Sequence, residues 1–250
     1  KLYTIFSGGT GIPRLHWYGT EGSHNVMVID LLGKSLEDLF VQCHHKFSLK
    51  TVLMLVDQMI SCVEFIHNKN FIHRDIKPAN FLLDNYNRVR LSDFGLSASL
   101  NNSEALENIR PCGSPAYMAP ELLNYRHKPH NHQSFDVPDE SDNKIDLYKA
   151  DVWSLGITVY EMAVGCKPFM GTLDEIREQV QHSFEKPQEI RDQRLMKLLR
   201  GMLKVNPHLR FTINDILASE YFVKHGYVVN SSTGSGQQAM KRIQPANSIS

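Results

Sequence analysis

The chain is 250 residues long, with 42% hydrophobic and 22% charged side chains, which is enough apolar material for a sizeable buried core. Its 27 basic and 27 acidic residues cancel, so the net charge points to neither nucleic acid nor a membrane surface as partner. No apolar run reaches the roughly 18 residues that span a bilayer, and no signal-peptide pattern opens the chain.

Four cysteines (Cys43, Cys62, Cys112, Cys166) show neither metal-like nor disulfide-like spacing. They read as unpaired thiols in a reducing compartment, and the expected location is cytoplasmic, with access to the nucleus left open.

From the start, Ser7 to Pro13 is glycine-rich and reads as a loop. Two strands follow, Arg14 to Tyr18 and Asn25 to Leu32, joined by residues 19–23; Val26, Val28 and Ile29 are of the β-branched, buried kind. After Gly33 the pattern turns helical. Ser35 to Phe40 is a short helix, and Leu49 to His67 a longer one with Val52, Leu53, Val56, Met59, Ile60, Val63 and Ile66 at helical spacing. Phe81–Leu83 and Val89–Leu91 flank a polar turn and read as a small hairpin. Asp146 to Met162 is too apolar for a surface helix and should be buried. Thr172 and Thr212 each open a further helix with a capping-box signature. The polar segment 124–147 reads as an exposed inserted loop; its histidines lack a defined fourth ligand for zinc. From residue 228 the composition is that of a disordered tail.

The chemistry concentrates in His73-Arg74-Asp75-Ile76-Lys77-Pro78-Ala79-Asn80. Phosphoryl transfer needs a group to orient the attacking hydroxyl, cations against phosphate charge, and oxygen ligands for a metal ion. Asp75 suits the first task, Lys77 the second and Asn80 the third. Asp93-Phe94-Gly95 follows the hairpin, which returns Asp93 close to Asn80 so that both can face one Mg²⁺. Downstream stand Ala119-Pro120-Glu121 and Asp151-Val152-Trp153-Ser154-Leu155-Gly156.

Four ordered motifs make the chain similar to the eukaryotic protein kinase family over residues 1 to about 225. The resemblance implies an α+β, two-lobed kinase fold with an incomplete N-terminal lobe and a mainly helical C-terminal lobe. Residues 1–32 would be the remainder of the small lobe and hinge, 33–227 the helical lobe, and 228–250 the tail. It also implies ATP and Mg²⁺ as cofactors and protein substrates as partners. Asp75 would be the catalytic base, Lys77 the phosphate-contacting lysine, and Asn80 and Asp93 the metal ligands. Lys77 and the Gly113-to-Met118 stretch are the serine/threonine pattern, with Ser114 placed to bond Asp75 and Lys77. Glu121 would pair with Arg210, and Asp151 would hold the backbone of the catalytic loop. His73, Phe94 and Gly95 would be structural. Arg74 would meet a phosphate on the activation segment, with Ser97, Ser99 and Ser103 as candidates.

Gly8 to Pro13, Asn25 to Gly33, Ser35 to Phe40 and Phe71 to Pro78 resemble casein kinase 1 in particular. That likeness puts Ile29 at the back of an adenine pocket, the backbone of Asp30 and Leu32 on the adenine edge, Ser35 and Asp38 near the ribose, and Leu82 on the floor. The second half, with its Ala-Pro-Glu, is closer to conventional serine/threonine kinases. Gly8-Gly9-Thr10-Gly11 is not the phosphate-covering loop of a kinase, and the sequence reads as beginning after that loop. A non-catalytic kinase-like scaffold is the competing reading.

Overall fold

Helix α1 (Leu2–Ile5) leads through a turn into a hairpin of β1 (Leu15–Glu21) and β2 (His24–Ile29), paired antiparallel with a bulge at Leu15/Trp17. This computed structural model describes residues 2–101, 111–124, 146–182, 187, 189–223, 227–228 and 241–242. Ser103, residues 125–145 of the inserted segment and most of the tail lie outside them; within the tail, β7 (Tyr227–Val228) pairs with β8 (Lys241–Arg242). Glu21 pairs directly with His24, so the hairpin closes with two residues, where the sequence suggested a five-residue connection.

The glycine-rich segment lies against α3 (Leu49–His67). A Cβ on Gly11 would stand 2.1 Å from Cys62 Sγ, and one on Gly9 2.1 Å from the Phe65 ring. These glycines therefore allow close packing of backbone on helix. The Gly11 carbonyl also accepts from Leu91 N at 2.7 Å, tying the segment to β5 (Val89–Leu91).

Helix α2 (Leu36–Gln42) begins in a full capping box, Ser35 with Asp38. The long helix α3 buries Val52, Val56, Met59, Ile60, Val63 and Ile66 of the expected apolar stripe, while Leu53, at its edge, is only half-buried. It packs against α5 (Leu147–Val164), whose residues from Ala150 to Met162 are all buried. Asp146 caps the start of α5, and Gly165 ends it in a left-handed conformation.

Short ladders sit on this helical base. β3 (Phe71–Ile72) pairs with β6 (Ala98–Ser99), and β4 (Phe81–Leu83) pairs with β5. The remaining helices are α4 (Pro120–Leu123), α6 (Leu173–Gln179), α7 (Gln193–Met202), α8 (Ile213–Leu217) and α9 (Glu220–Val223). Both threonine capping boxes form, Thr172 with Glu175 and Thr212 with Asp215. Among the described residues no helix is long and apolar enough to cross a membrane, and all four cysteines are free.

Candidate active site

The loop that carries Asp75 runs from β3 to β4 over the N-terminal half of α5. Asp151, buried on that helix, accepts His73 N at 2.8 Å and Arg74 N at 2.9 Å, and His67 Nε2 lies 2.9 Å from its carboxylate. Burial pushes this carboxyl upward, but the His67 and backbone contacts outweigh it and hold it below the usual carboxylate range. The loop backbone is thus pinned to α5 by an ionised side chain.

His73 is fully buried, and desolvation lowers its pKa despite the nearby carboxylates, so the ring is neutral. Its Nε2 stands 3.0 Å from the Ser92 carbonyl, and its Nδ1 accepts from Asp75 N at 3.3 Å. A neutral ring protonated on Nε2 satisfies both contacts. The ring also meets Phe94 edge-on at 5.2 Å, and Phe94 meets Tyr3 of α1 at the same distance. Tyr3 was not singled out from the sequence, because a four-residue helix carries too little periodicity to be seen.

Asp75 is surrounded by donors. Lys77 Nζ reaches its Oδ2 at 2.7 Å, Asn80 Nδ2 reaches Oδ2 at 3.1 Å, and Ser114 donates to Oδ1 through both N (3.1 Å) and Oγ (3.0 Å). Burial raises the carboxyl, yet Lys77, Ser114 and Asn80 together bring it below its ordinary value. Lys77 Nζ also donates to Ser114 Oγ at 2.9 Å, closing a triangle. Ser114 can come this close because Gly113 has φ +101°, and a Cβ there would lie 2.4 Å from the Arg74 carbonyl oxygen.

The Asn80 amide nitrogen also donates to the Asp75 carbonyl at 2.7 Å, so the end of the amide left for a cation is its oxygen. Ser92 N and Oγ both bond the Asn80 carbonyl, at 2.9 and 3.1 Å, which brings the exposed Asp93 back beside Asn80. Asp93 adopts a left-handed conformation (φ 60°, ψ 65°), and its carboxylate accepts from Gly95 N at 3.4 Å. An amide oxygen and a carboxylate are the donor types that hold a hard divalent cation.

On the other side, the hinge is tied to the floor strand. Gly33 N donates to the Leu83 carbonyl at 2.7 Å, Leu83 N to the Lys34 carbonyl at 3.0 Å, and Ser35 bridges Leu82. The Asp30 carbonyl and the Leu32 N–H have no partner among the described residues, and so remain available to an adenine edge. Ile29 ends β2, half-buried and paired with Leu15. Ser35 and Asp38, expected near a ribose, are engaged with each other as the cap of α2.

The chain matches the family model of the protein kinase domain over residues 10–222. It belongs to the protein kinase family.

In this kinase domain Glu121 and Arg210 form a bidentate pair at 2.7 and 2.8 Å. Arg210 further donates to the carbonyls of Lys149, Lys204 and Val205 and lies over the Trp153 ring, so its fork is saturated. The Arg74 guanidinium donates to the Leu96 carbonyl, while Ser103, its expected phosphorylated partner, is outside the described residues. Ser97 Oγ bonds the His73 carbonyl at 3.4 Å. A kinase domain uses ATP and a divalent cation; the Asn80 amide oxygen and the Asp93 carboxylate are the groups that would hold such a cation, which would supply charge neutralisation at the phosphates.

A cluster that escaped the sequence reading lies beneath the Ser114 segment. Tyr117 donates to the buried Glu161 at 2.6 Å, and Lys167 Nζ pairs with the other Glu161 oxygen at 2.8 Å. Burial and the Glu161 carboxylate push the Tyr117 phenol far up, keeping it a donor. The three residues span 117 to 167, and no local pattern links them.

Proposed function

We propose that this protein transfers the γ-phosphate of Mg·ATP to serine or threonine hydroxyls of protein substrates. The observation that carries the reading is the Asp75–Lys77–Ser114 triangle, a carboxylate kept ionised at neutral pH and anchored to the segment on which a peptide would lie. An ionised Asp75 accepts the proton of an approaching hydroxyl and orients its lone pair. Lys77 stands beside it to offset phosphate charge. Lys77 and the Gly113-to-Met118 sequence support serine/threonine over tyrosine. The free Asp30 carbonyl and Leu32 N–H support the adenine placement drawn from casein kinase 1. A scaffold without catalysis is not favoured, because Asp75, Lys77, Asn80 and Asp93 are all present and gathered. The four free thiols support a reducing, cytoplasmic setting.

The test is transfer of labelled γ-phosphate to a Ser/Thr/Tyr peptide library, with Asp75→Asn as control. Labelling of Ser and Thr peptides should fall by about 10²–10⁴-fold in the control, the usual worth of a positioned general base. Labelling of Tyr peptides alone would overturn the specificity. No labelling above the control, with Mg·ATP binding also absent, would overturn the transferase reading.

A further inference from the structure

Resting on that reading, we infer that Lys167 is the residue that sets the charge preference for peptide substrates, by acting as the internal counter-ion of Glu161 beneath the peptide-bearing segment. A hydroxyl delivered to Asp75 must arrive beside Ser114, whose N and Oγ both bond the Asp75 carboxylate. The residues flanking that hydroxyl then pass over the 113–118 segment, where Pro115 is exposed.

Immediately below is a carboxylate with nowhere to hide its charge. The Glu161 side chain is only 6% exposed, and one oxygen is held by the Tyr117 hydroxyl. Tyr117 is neutral, so the hydrogen bond leaves the charge in place. Lys167 supplies the balance. Its Nζ lies 2.8 Å from Glu161 and 5.4 Å from the centre of the Tyr117 ring, and its side chain, 29% exposed, reaches toward solvent. Glu37 and Asp75 also act electrostatically on Tyr117, but Asp75 is already paired with Lys77. Of the other cations near the segment, Lys77 is already committed to Asp75 and Ser114, and the Arg74 guanidinium donates to the Leu96 carbonyl.

With Lys167 in place the ground under the segment is balanced, and a substrate arginine or lysine next to the acceptor hydroxyl gains nothing from Glu161. Without it, Glu161 would be a buried carboxylate short of a cation, and a basic substrate side chain would be the nearest replacement.

The experiment compares kcat/KM and fluorescence-anisotropy binding for matched peptides that differ only by Arg or Ala beside the acceptor. In Lys167→Met the Arg/Ala ratio should rise about tenfold over the unaltered protein, the worth of one charge-assisted hydrogen bond. Adding Glu161→Gln should abolish the rise, and Lys167→Arg should behave as the unaltered protein does. Glu161→Gln alone, which frees Lys167, should shift preference toward acidic peptides and serves if Lys167→Met does not fold. An equal loss on both peptides with an unchanged ratio would mean that Lys167 is only a brace, and would overturn the inference. If every variant and the unaltered protein bind peptide but transfer nothing, the transferase reading falls, while the binding ratio still decides the role of Lys167.

Discussion

Two aspartates in this kinase domain are built on one plan and differ in where they sit. Asp151 accepts two backbone N–H groups of the catalytic loop and faces His67; Asp30 accepts the backbone N–H of Arg14 at 2.8 Å and faces His16, also at 2.8 Å. The side chain of Asp151 is 2% exposed, whereas that of Asp30 is 39% exposed. The first pins the loop that carries Asp75. The second trims the edge of the hinge, next to a hairpin whose Trp17, Tyr18, Met27 and Val28 are all exposed. Equal chemistry does unequal work, because water screens and replaces one set of contacts and cannot reach the other.

The largest effect should come from the most enclosed charge. Arg210→Met would strand Glu121 and three backbone carbonyls that Arg210 now serves, costing about 3–5 kcal/mol of unfolding free energy. Urea unfolding measures this, and a loss under about 1 kcal/mol would show that burial does not govern the energetics of this pair.

Gly113→Ala probes the same enclosed region through backbone. The added Cβ would meet the Arg74 carbonyl at 2.4 Å, and the φ of +101° is unfavourable for alanine. The Ser114 contacts to Asp75 and Lys77 should loosen, and kcat should fall by about 10²-fold for a displacement of about 1 Å. Unaltered kcat would mean that the Ser114 triangle is dispensable.

Much of this arrangement could be read in the sequence, and the reason is local. Helix α3 repeats its apolar residues at helical spacing through 19 residues, and the β4–β5 hairpin is bounded by a polar turn, so their ends coincide with the expected ones. Asp75, Lys77, Asn80 and Asp93 lie in two short motifs joined by that hairpin. What stayed hidden depends on partners distant in the chain. His67 meets Asp151 across 84 residues and Tyr117 meets Glu161 across 44, and neither end of either pair advertises the other. The two-residue ladder of β3 with β6 is fixed by what lies around it, and Tyr3 is placed by its contact with Phe94, far along the chain. Helix α7 is a different case: Asp192 caps it, and Leu195, Met196, Leu198, Leu199 and Met202 form a stripe, a signal present in the sequence and passed over.

Acid should separate the two aspartates further. Both carboxyls are held below the ordinary value of 3.8, Asp151 chiefly by His67 against the cost of burial, and Asp30 chiefly by the Arg14 N–H. A carboxyl depressed in the folded state contributes stability that is fully present above pH 3.8 and is lost as pH falls from there toward its folded value. Asp151→Asn should therefore cost about 3 kcal/mol at pH 7, since a buried N–H loses a charged acceptor, and the gap from the unaltered protein should narrow below about pH 4. A gap that stays constant down to pH 3 would mean that the charge of Asp151 contributes nothing.

Asp30→Asn should give the smallest effect and the sharpest contrast. An exposed pair of this kind contributes between about 0 and 1 kcal/mol, and the asparagine oxygen can still accept from Arg14 N. Any difference at low salt should shrink in 0.5 M NaCl, where the Debye length is about 4 Å, whereas the Asp151→Asn difference should hardly move. A salt-insensitive loss above about 2 kcal/mol at Asp30 would mean that the hinge edge is shielded from water when the protein is in solution, and that the two aspartates are equals after all.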